Sequence, residues 1–204
     1  MKKYILNWCC ELIKNNNSNL TEEKMLEIRY GLEGIYLTIT KTIFIFLISY
    51  LLNIFKEMLL MLLFFNIMRT TAFGLHAKKS WMCWVSSTIL FLILPYISNY
   101  IIIPFNLKII LGIVSIILIF LFSPADTEKH PLINLKKRKI WNFISTINCF
   151  ILVTLTLIIK NETICTLIFF GIYTEILLIN PLSYKICNLQ YDNYKKYIEL
   201  NNNV

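Results

Sequence analysis

Residues 101–122 read IIIPFNLKIILGIVSIILIFLF, with Lys108 the one charged side chain. A ~30 Å hydrocarbon core takes about 20 apolar residues as a helix, so this stretch is long enough to cross it. Outward from it lie five comparable apolar segments, Ile35–Phe55, Met58–Ala72, Trp81–Ile97, Ile140–Ile159 and Ile164–Ile179. The second and sixth segments in chain order are short, and the second reaches His76 only if polar residues are admitted. Pro95, Pro104, Pro124 and Pro181 fall at or near segment ends, where a residue without an N–H belongs.

Composition agrees. Of 204 residues, 57% are apolar and 16% charged, against roughly 45–50% and about 25% in soluble domains. A soluble domain of this length exposes too much surface to hide that apolar content. Soluble enzymes, disordered chains and disulfide-rich secreted modules are excluded, and five glycines and five prolines exclude collagen-like and linker-rich chains. The reading is all-α, a polytopic membrane protein with about six transmembrane helices.

The N-terminus begins MKKYILNWCCELIKNNN. Ile5, Trp8, Cys9, Leu12 and Ile13 recur at helical spacing, which predicts an amphipathic helix lying in the membrane interface. It lacks a long apolar run with a small-residue cleavage site, so it is expected to be retained. Asn15 to Asn19 break the pattern. Thr21, followed by Glu22 and Glu23, is a candidate helix start. Three regions follow: 1–34, amphipathic and interfacial; 35–181, the six-span domain; and 182–204, a polar cytoplasmic tail.

The net charge is +8. With the N-terminus inside, sixteen Lys/Arg fall in inner regions (1–34, 69–80, 123–139 and the tail), against Lys56, Lys108 and Lys160 outside. That bias predicts a plasma-membrane protein with both ends cytoplasmic, and it accounts for the charge without nucleic acid. The six cysteines, Cys9, Cys10, Cys83, Cys149, Cys165 and Cys187, form no CxxC pair and no zinc spacing with either histidine, so no metal or other cofactor is expected.

Reactive side chains concentrate between Asn66 and Cys83. Arg69 sits at the inner part of the second span, where an arginine either faces a partner or a wet cavity or snorkels to headgroups. His76 precedes Cys83 by seven residues. On one unbroken helix they would lie about 10 Å apart, too far for proton transfer. A dyad therefore requires a break, and Lys78-Lys79-Ser80 is the candidate. With Ser80 as cap, Cys83 falls in the first turn of the third span, where backbone N–H groups and two lysines favour thiolate. The alternative is that Cys83 is a packing residue of an apolar span and His76 is interfacial. A second polar stretch, Ser123 to Leu132, shares the inner side. Asp126 or Glu128 could orient a catalytic histidine, and Lys136-Lys137-Arg138-Lys139 could attract an acidic peptide or anionic lipid; the alternative is an ordinary positive-inside loop.

Arg69, Gly74-Leu75-His76-Ala77, Cys83, and Pro124-Ala125-Asp126 with Lys129 and Pro131 together resemble the accessory gene regulator protein B (AgrB) family, membrane cysteine endopeptidases of Gram-positive quorum sensing. Phe73 stands where many members carry a second glycine. The resemblance implies that the substrate is a short AgrD-like precursor signal peptide with an acidic tail. The enzyme removes that tail and helps close a thiolactone or lactone ring. By position, Cys83 is the nucleophile and His76 the general base, at the cytoplasmic side, with Arg69, Gly74, Lys78, Lys79, Ser80, Asp126, Glu128 and Lys129 in binding or supporting roles. It also implies a homodimer in the lipid bilayer. The alternative is a non-catalytic membrane peptide transporter or scaffold.

Overall fold

The computed structural model describes residues 2–16, 21–75, 80–127 and 131–202. Every predicted apolar segment is helical over most of its length. Thr21 accepts from Lys24 N at 3.4 Å, and Glu22 and Glu23 occupy the first turn that follows, as the sequence predicts. After α1 (Lys2–Asn16), α2 (Glu22–Leu51) runs unbroken for 30 residues, so the helix predicted to start near Thr21 and the first span are one rod. α3 (Phe55–Ala72) stops at Ala72 and does not reach His76. α4 (Ser80–Thr88), a π turn (Ile89–Ile93) and α5 (Leu94–Ser98) make the third apolar rod. Pro95 crowds the carbonyl four residues back, at Phe91, and the wide turn lies there.

α6 (Phe105–Phe122) starts after Pro104, four residues later than the apolar run, because residues 101–104 are not helical. α7 (Leu135–Ile158) starts earlier than predicted: the Asn134 side chain accepts from Lys136 N and Lys137 N and so recruits the basic run into its first turn. α8 (Glu162–Ile179) is capped by Asn161, and α9 (Pro181–Ile186) by Asn180 with Pro181 at its first position. α10 (Asn193–Asn202) closes the described chain. Among the described residues, five rods are long and apolar enough to cross a membrane: α2, Trp81–Ser98, α6, α7 and α8. α3 is equally long but carries Lys56, Glu57 and Arg69. The chain is an all-α polytopic membrane protein.

Packing separates residues 1–48 from residues 49–204. In the first unit, Leu6 is buried while Ile5, Trp8 and Leu12 of the amphipathic stripe stay exposed. In the second, α8 is the centre, with α3, α5, α6 and α7 packed around it. It is mainly apolar around its circumference, as a surrounded helix tends to be, and Leu167, Ile168, Ile172 and Ile179 are fully buried. Gly171 lets α3 approach closely: a Cβ there would lie 3.1 Å from Phe64 Cβ and from Phe65 N. The outer helices turn large apolar side chains outward, among them Phe143 at 66% and Phe120 at 60% exposure. Water would not tolerate so continuous an apolar exterior, whereas lipid matches it.

The bundle has two polar ends. At one, the α8 residue Glu162 pairs with Lys108 of α6 at 2.8 Å. At the other, the end of α3, the loop after α6, the start of α7 and the end of α8 converge. Gly74 N donates to Ala125 O at 2.8 Å, Leu75 N to Leu178 O at 3.0 Å, and Asn142 Nδ2 to Phe120 O at 2.8 Å. Gly171→Leu is expected to destabilise the bundle by about 1–3 kcal/mol through overpacking. Gly31→Ala, at a helical position with nothing within 4 Å of a Cβ, is expected to stabilise slightly. Thermal unfolding in detergent checks both.

Candidate functional site

Arg69 stands in the last turn of α3 and its side chain is 16% exposed. Its four terminal N–H groups all meet acceptors. Nη1 donates to Phe73 O and, at 3.5 Å, to Glu175 Oε1; Nη2 donates to Gly74 O at 3.2 Å and Leu75 O at 2.5 Å. Three successive carbonyls thus turn inward onto one cation, which an ordinary helix end cannot do. Phe73 (φ 62°) and Gly74 (φ 95°) supply the required reversal. Gly74 is obligatory for a second reason: a Cβ would lie 2.8 Å from Arg69 Nη1 and 2.9 Å from Leu178 O. Phe73 adopts a backbone that suits glycine, and its ring is held edge-to-face on Trp141 at 5.4 Å.

Every main-chain group of this turn is accounted for. Phe73 N donates to Arg69 O, Gly74 N to Ala125 O and Leu75 N to Leu178 O, while Ala72 O accepts from Ala125 N. Phe73 and Ala125 form a parallel bridge. The Pro-Ala-Asp loop is therefore stitched to the end of α3 by its backbone. Arg69, Phe73, Gly74, Ala125, Asp126, Thr127 and Leu132 line a cavity of about 430 Å³.

Asp126 is buried, and its carboxylate accepts from Tyr194 N at 2.8 Å, Asn193 N at 3.2 Å and Leu132 N at 3.3 Å. Two of these are the leading N–H groups of α10, so Asp126 caps that helix from far away in sequence. Arg138 Nη1 lies 3.9 Å from the same carboxylate, and the Arg138 guanidinium sits 3.9 Å from the Tyr194 ring centroid. The buried Tyr184 hydroxyl donates to Asp126 O at 3.0 Å, and that of Tyr191 to Phe122 O at 3.2 Å. Burial raises the Tyr184 hydroxyl pKa, with the Asp126 charge adding to it. Burial likewise pushes Tyr191 up to about 12. These contacts make Asp126 a tether for the tail.

Of the sequence-predicted residues, Arg69, Gly74 and Asp126 come together around the cavity. Cys83 is half-buried, in the first turn of α4, which begins at Ser80. His76, Lys78, Lys79, Glu128 and Lys129 lie outside the described residues, as does the side chain of Ser80. α3 and α4 are separate helices, with the non-helical residues Phe73 to Leu75 following Ala72. Sequence reasoning missed Glu175, the buried partner of Arg69, although a lone carboxylate in the last apolar segment is a readable signal.

The fold and site define an integral membrane protein whose polar machinery sits at one end of a helical bundle. The accessory gene regulator B family model matches residues 7–179. An AgrB-like protein of Clostridium acetobutylicum is 35% identical over 185 residues, covering 90% of this chain and 88% of that protein. An AgrB-like protein of Listeria welshimeri is 36% identical over 188 residues, covering 91% of each. The accessory gene regulator protein B of Staphylococcus aureus strain Newman is 36% identical over 167 residues, covering 81% of this chain and 86% of that protein. No solved structure matches. The chain belongs to the accessory gene regulator B family, and membership implies a role in agr quorum sensing with an AgrD-type precursor as partner.

Gly74→Ala is expected to cost about 1–3 kcal/mol, because its Cβ enters a disfavoured backbone region as well as the Arg69 contact; thermal unfolding measures it. Asp126→Asn weakens charge-assisted bonds to Asn193 and Tyr194. The expected result is faster tryptic cutting at Lys195 and Lys196 with the helical bundle still intact, read by limited proteolysis.

Proposed function

We propose that this protein is a membrane-embedded cysteine endopeptidase that removes the acidic C-terminal tail of an AgrD-like precursor and promotes its cyclisation. The observation that carries the reading is the separation of α3 from α4. A continuous helix would hold positions 76 and 83 two turns apart, about 10 Å along its axis. With α3 ended at Ala72 and α4 begun at Ser80, that fixed spacing no longer stands against a pairing of His76 with Cys83.

In this reading His76 takes the Cys83 proton, and Sγ attacks the carbonyl carbon before the tail. The C–N bond breaks as His76 returns the proton to the leaving amine, leaving a thioester on Cys83. A cysteine thiol or serine hydroxyl of the bound peptide, deprotonated by His76, then attacks that carbonyl. The thioester C–S bond breaks, the ring closes, and Cys83 regains its proton. Thiol–thioester exchange is nearly balanced, so a site that excludes water and holds the peptide's own nucleophile close favours cyclisation over hydrolysis. Backbone N–H groups at the start of α4 favour the thiolate. Lys78, Lys79, Lys129 and the Lys136–Lys139 run suit an acidic tail. The convergence of the α3, α6 and α8 ends supports a single reactive end, and the Lys/Arg distribution makes that end cytoplasmic, with both termini inside and six spans. The amphipathic α1 gathers a peptide that also lies on the membrane surface, and the chain acts as a homodimer.

Co-expression with the precursor, read by the mass of the processed peptide, tests this. Cys83→Ala and Cys83→Ser are each expected to abolish tail removal while the protein remains in the membrane. Tail removal that survives either change overturns the enzyme and leaves the peptide transporter.

A further inference from the structure

Glu175 lies on α8 with no exposed surface. One oxygen faces Arg69 Nη1 at 3.5 Å; the other, Oε2, has no hydrogen-bond partner among the described residues. A buried ion pair kept only for stability gains most when every oxygen and N–H is satisfied, and well-packed neutral side chains often do as well. Here the four terminal N–H groups of the guanidinium are engaged and one carboxylate oxygen is not. The other carboxylate of α8, Glu162, is 38% exposed and closes on Lys108 at 2.8 Å, an arrangement suited to a rim.

What Glu175 acts on is visible one turn further along α8. Leu178 O takes the N–H of Leu75, while Glu175 holds the cation that takes the C=O of Leu75. Both main-chain polar groups of Leu75 are thereby fixed by the same turn of α8, one directly and one through Arg69. Leu75 is the residue from which the chain enters position 76. We propose that Glu175 is a positioning residue: through Arg69 it sets the carbonyls of Phe73, Gly74 and Leu75, and hence the point from which His76 is delivered to Cys83. This rests on the assignment of His76 and Cys83 under the proposed function.

The test measures kcat and KM for precursor cleavage in proteoliposomes, per mole of protein retained in the membrane. Glu175→Gln keeps the shape and an acceptor oxygen but removes the charge that orients Arg69. The expected result is a fall in kcat of about tenfold or more with KM changed less than about threefold, since displacing a reacting group costs turnover rather than binding. The double variant Arg69→Gln/Glu175→Gln leaves no buried charge unpaired, so it carries the test even where the single variant accumulates poorly. Its kcat is expected to stay at least as low as that of Glu175→Gln although its abundance recovers. Glu162→Gln, at the far end of the same helix, is expected to retain wild-type kcat. A wild-type kcat in Glu175→Gln, or recovery of kcat in the double variant, overturns the proposal, because a purely structural pair predicts that recovery. Cys83→Ala run alongside separates the two claims. If it still cleaves, the enzyme reading falls; if it is inactive while Glu175→Gln turns over normally, only the positioning role falls.

Discussion

A largely buried arginine near the end of an apolar helix in a membrane protein must bring its own solvation. Arg69 does so with four acceptors, three of them consecutive carbonyls of the turn that follows its helix. Much of this end of the bundle follows from that requirement. α3 must end within one turn of Arg69, since helical carbonyls point along the axis and cannot converge on a side chain. The turn must reverse, which calls for positive φ at Phe73 and Gly74. Gly74 must lack a side chain, because the guanidinium and Leu178 O already fill its Cβ position. The N–H groups released by the reversal need partners, and Ala125 and Leu178 provide them. One buried cation thereby dictates a helix end, a loop conformation and two interhelical contacts.

The same economy sorts the remaining charges. Along the buried centre of α8 there are no acidic or basic side chains between Glu162 and Glu175. Glu162 answers Lys108 at one polar end and Glu175 answers Arg69 at the other. Between them, α3, α6 and α7 meet α8 through apolar side chains, glycine contacts and hydroxyls that donate to backbone carbonyls, such as Tyr173 to Leu111 O at 3.0 Å. Lipid offers no hydrophobic gain for bringing helices together, so close packing and internal hydrogen bonds must do it. The tail follows a different rule: the buried Asp126 secures α10 through the backbone N–H groups of Asn193 and Tyr194, and α9 through the Tyr184 hydroxyl, which donates to the Asp126 carbonyl.

Much of this was legible along the chain, because the signals were local. Apolar runs marked every membrane rod, Thr21 with its two glutamates marked the start of α2, and the seven-residue spacing showed that a His76–Cys83 pairing would need a helix break ahead of Cys83. The limits of α3, α6 and α7 were not legible to the residue. Asn134 extends α7 backward through a basic run that hydropathy reads as loop, and α3 stops at Ala72 because of a side chain three positions earlier. The pairings of Arg69 with Glu175 and Asp126 with Asn193 span 106 and 67 residues. No periodicity encodes such contacts. Glu175 still carried a signal of its own, since a carboxylate alone in an apolar span needs a cation, although the sequence did not single out Arg69 over Lys41 or Lys108.

Phe73 shows how far the fold goes to keep this turn in place. A side chain in that backbone region costs roughly 1–3 kcal/mol, which glycine would avoid. The turn returns hydrogen bonds from Arg69 to three carbonyls and from three N–H groups to fixed acceptors, each worth about 1 kcal/mol net and more where charge assists. Those bonds are indifferent to the side chain at position 73, so they alone would favour glycine. What phenylalanine adds is the edge-to-face contact with Trp141 on α7, of order 0.5–1.5 kcal/mol and comparable to the strain. Energetically the two choices nearly balance. Mechanically they differ: a glycine would leave the turn held by its backbone alone, whereas phenylalanine ties it to a third helix. Phenylalanine at position 73 therefore makes the turn after α3 stiffer than glycine would, by anchoring it on α7.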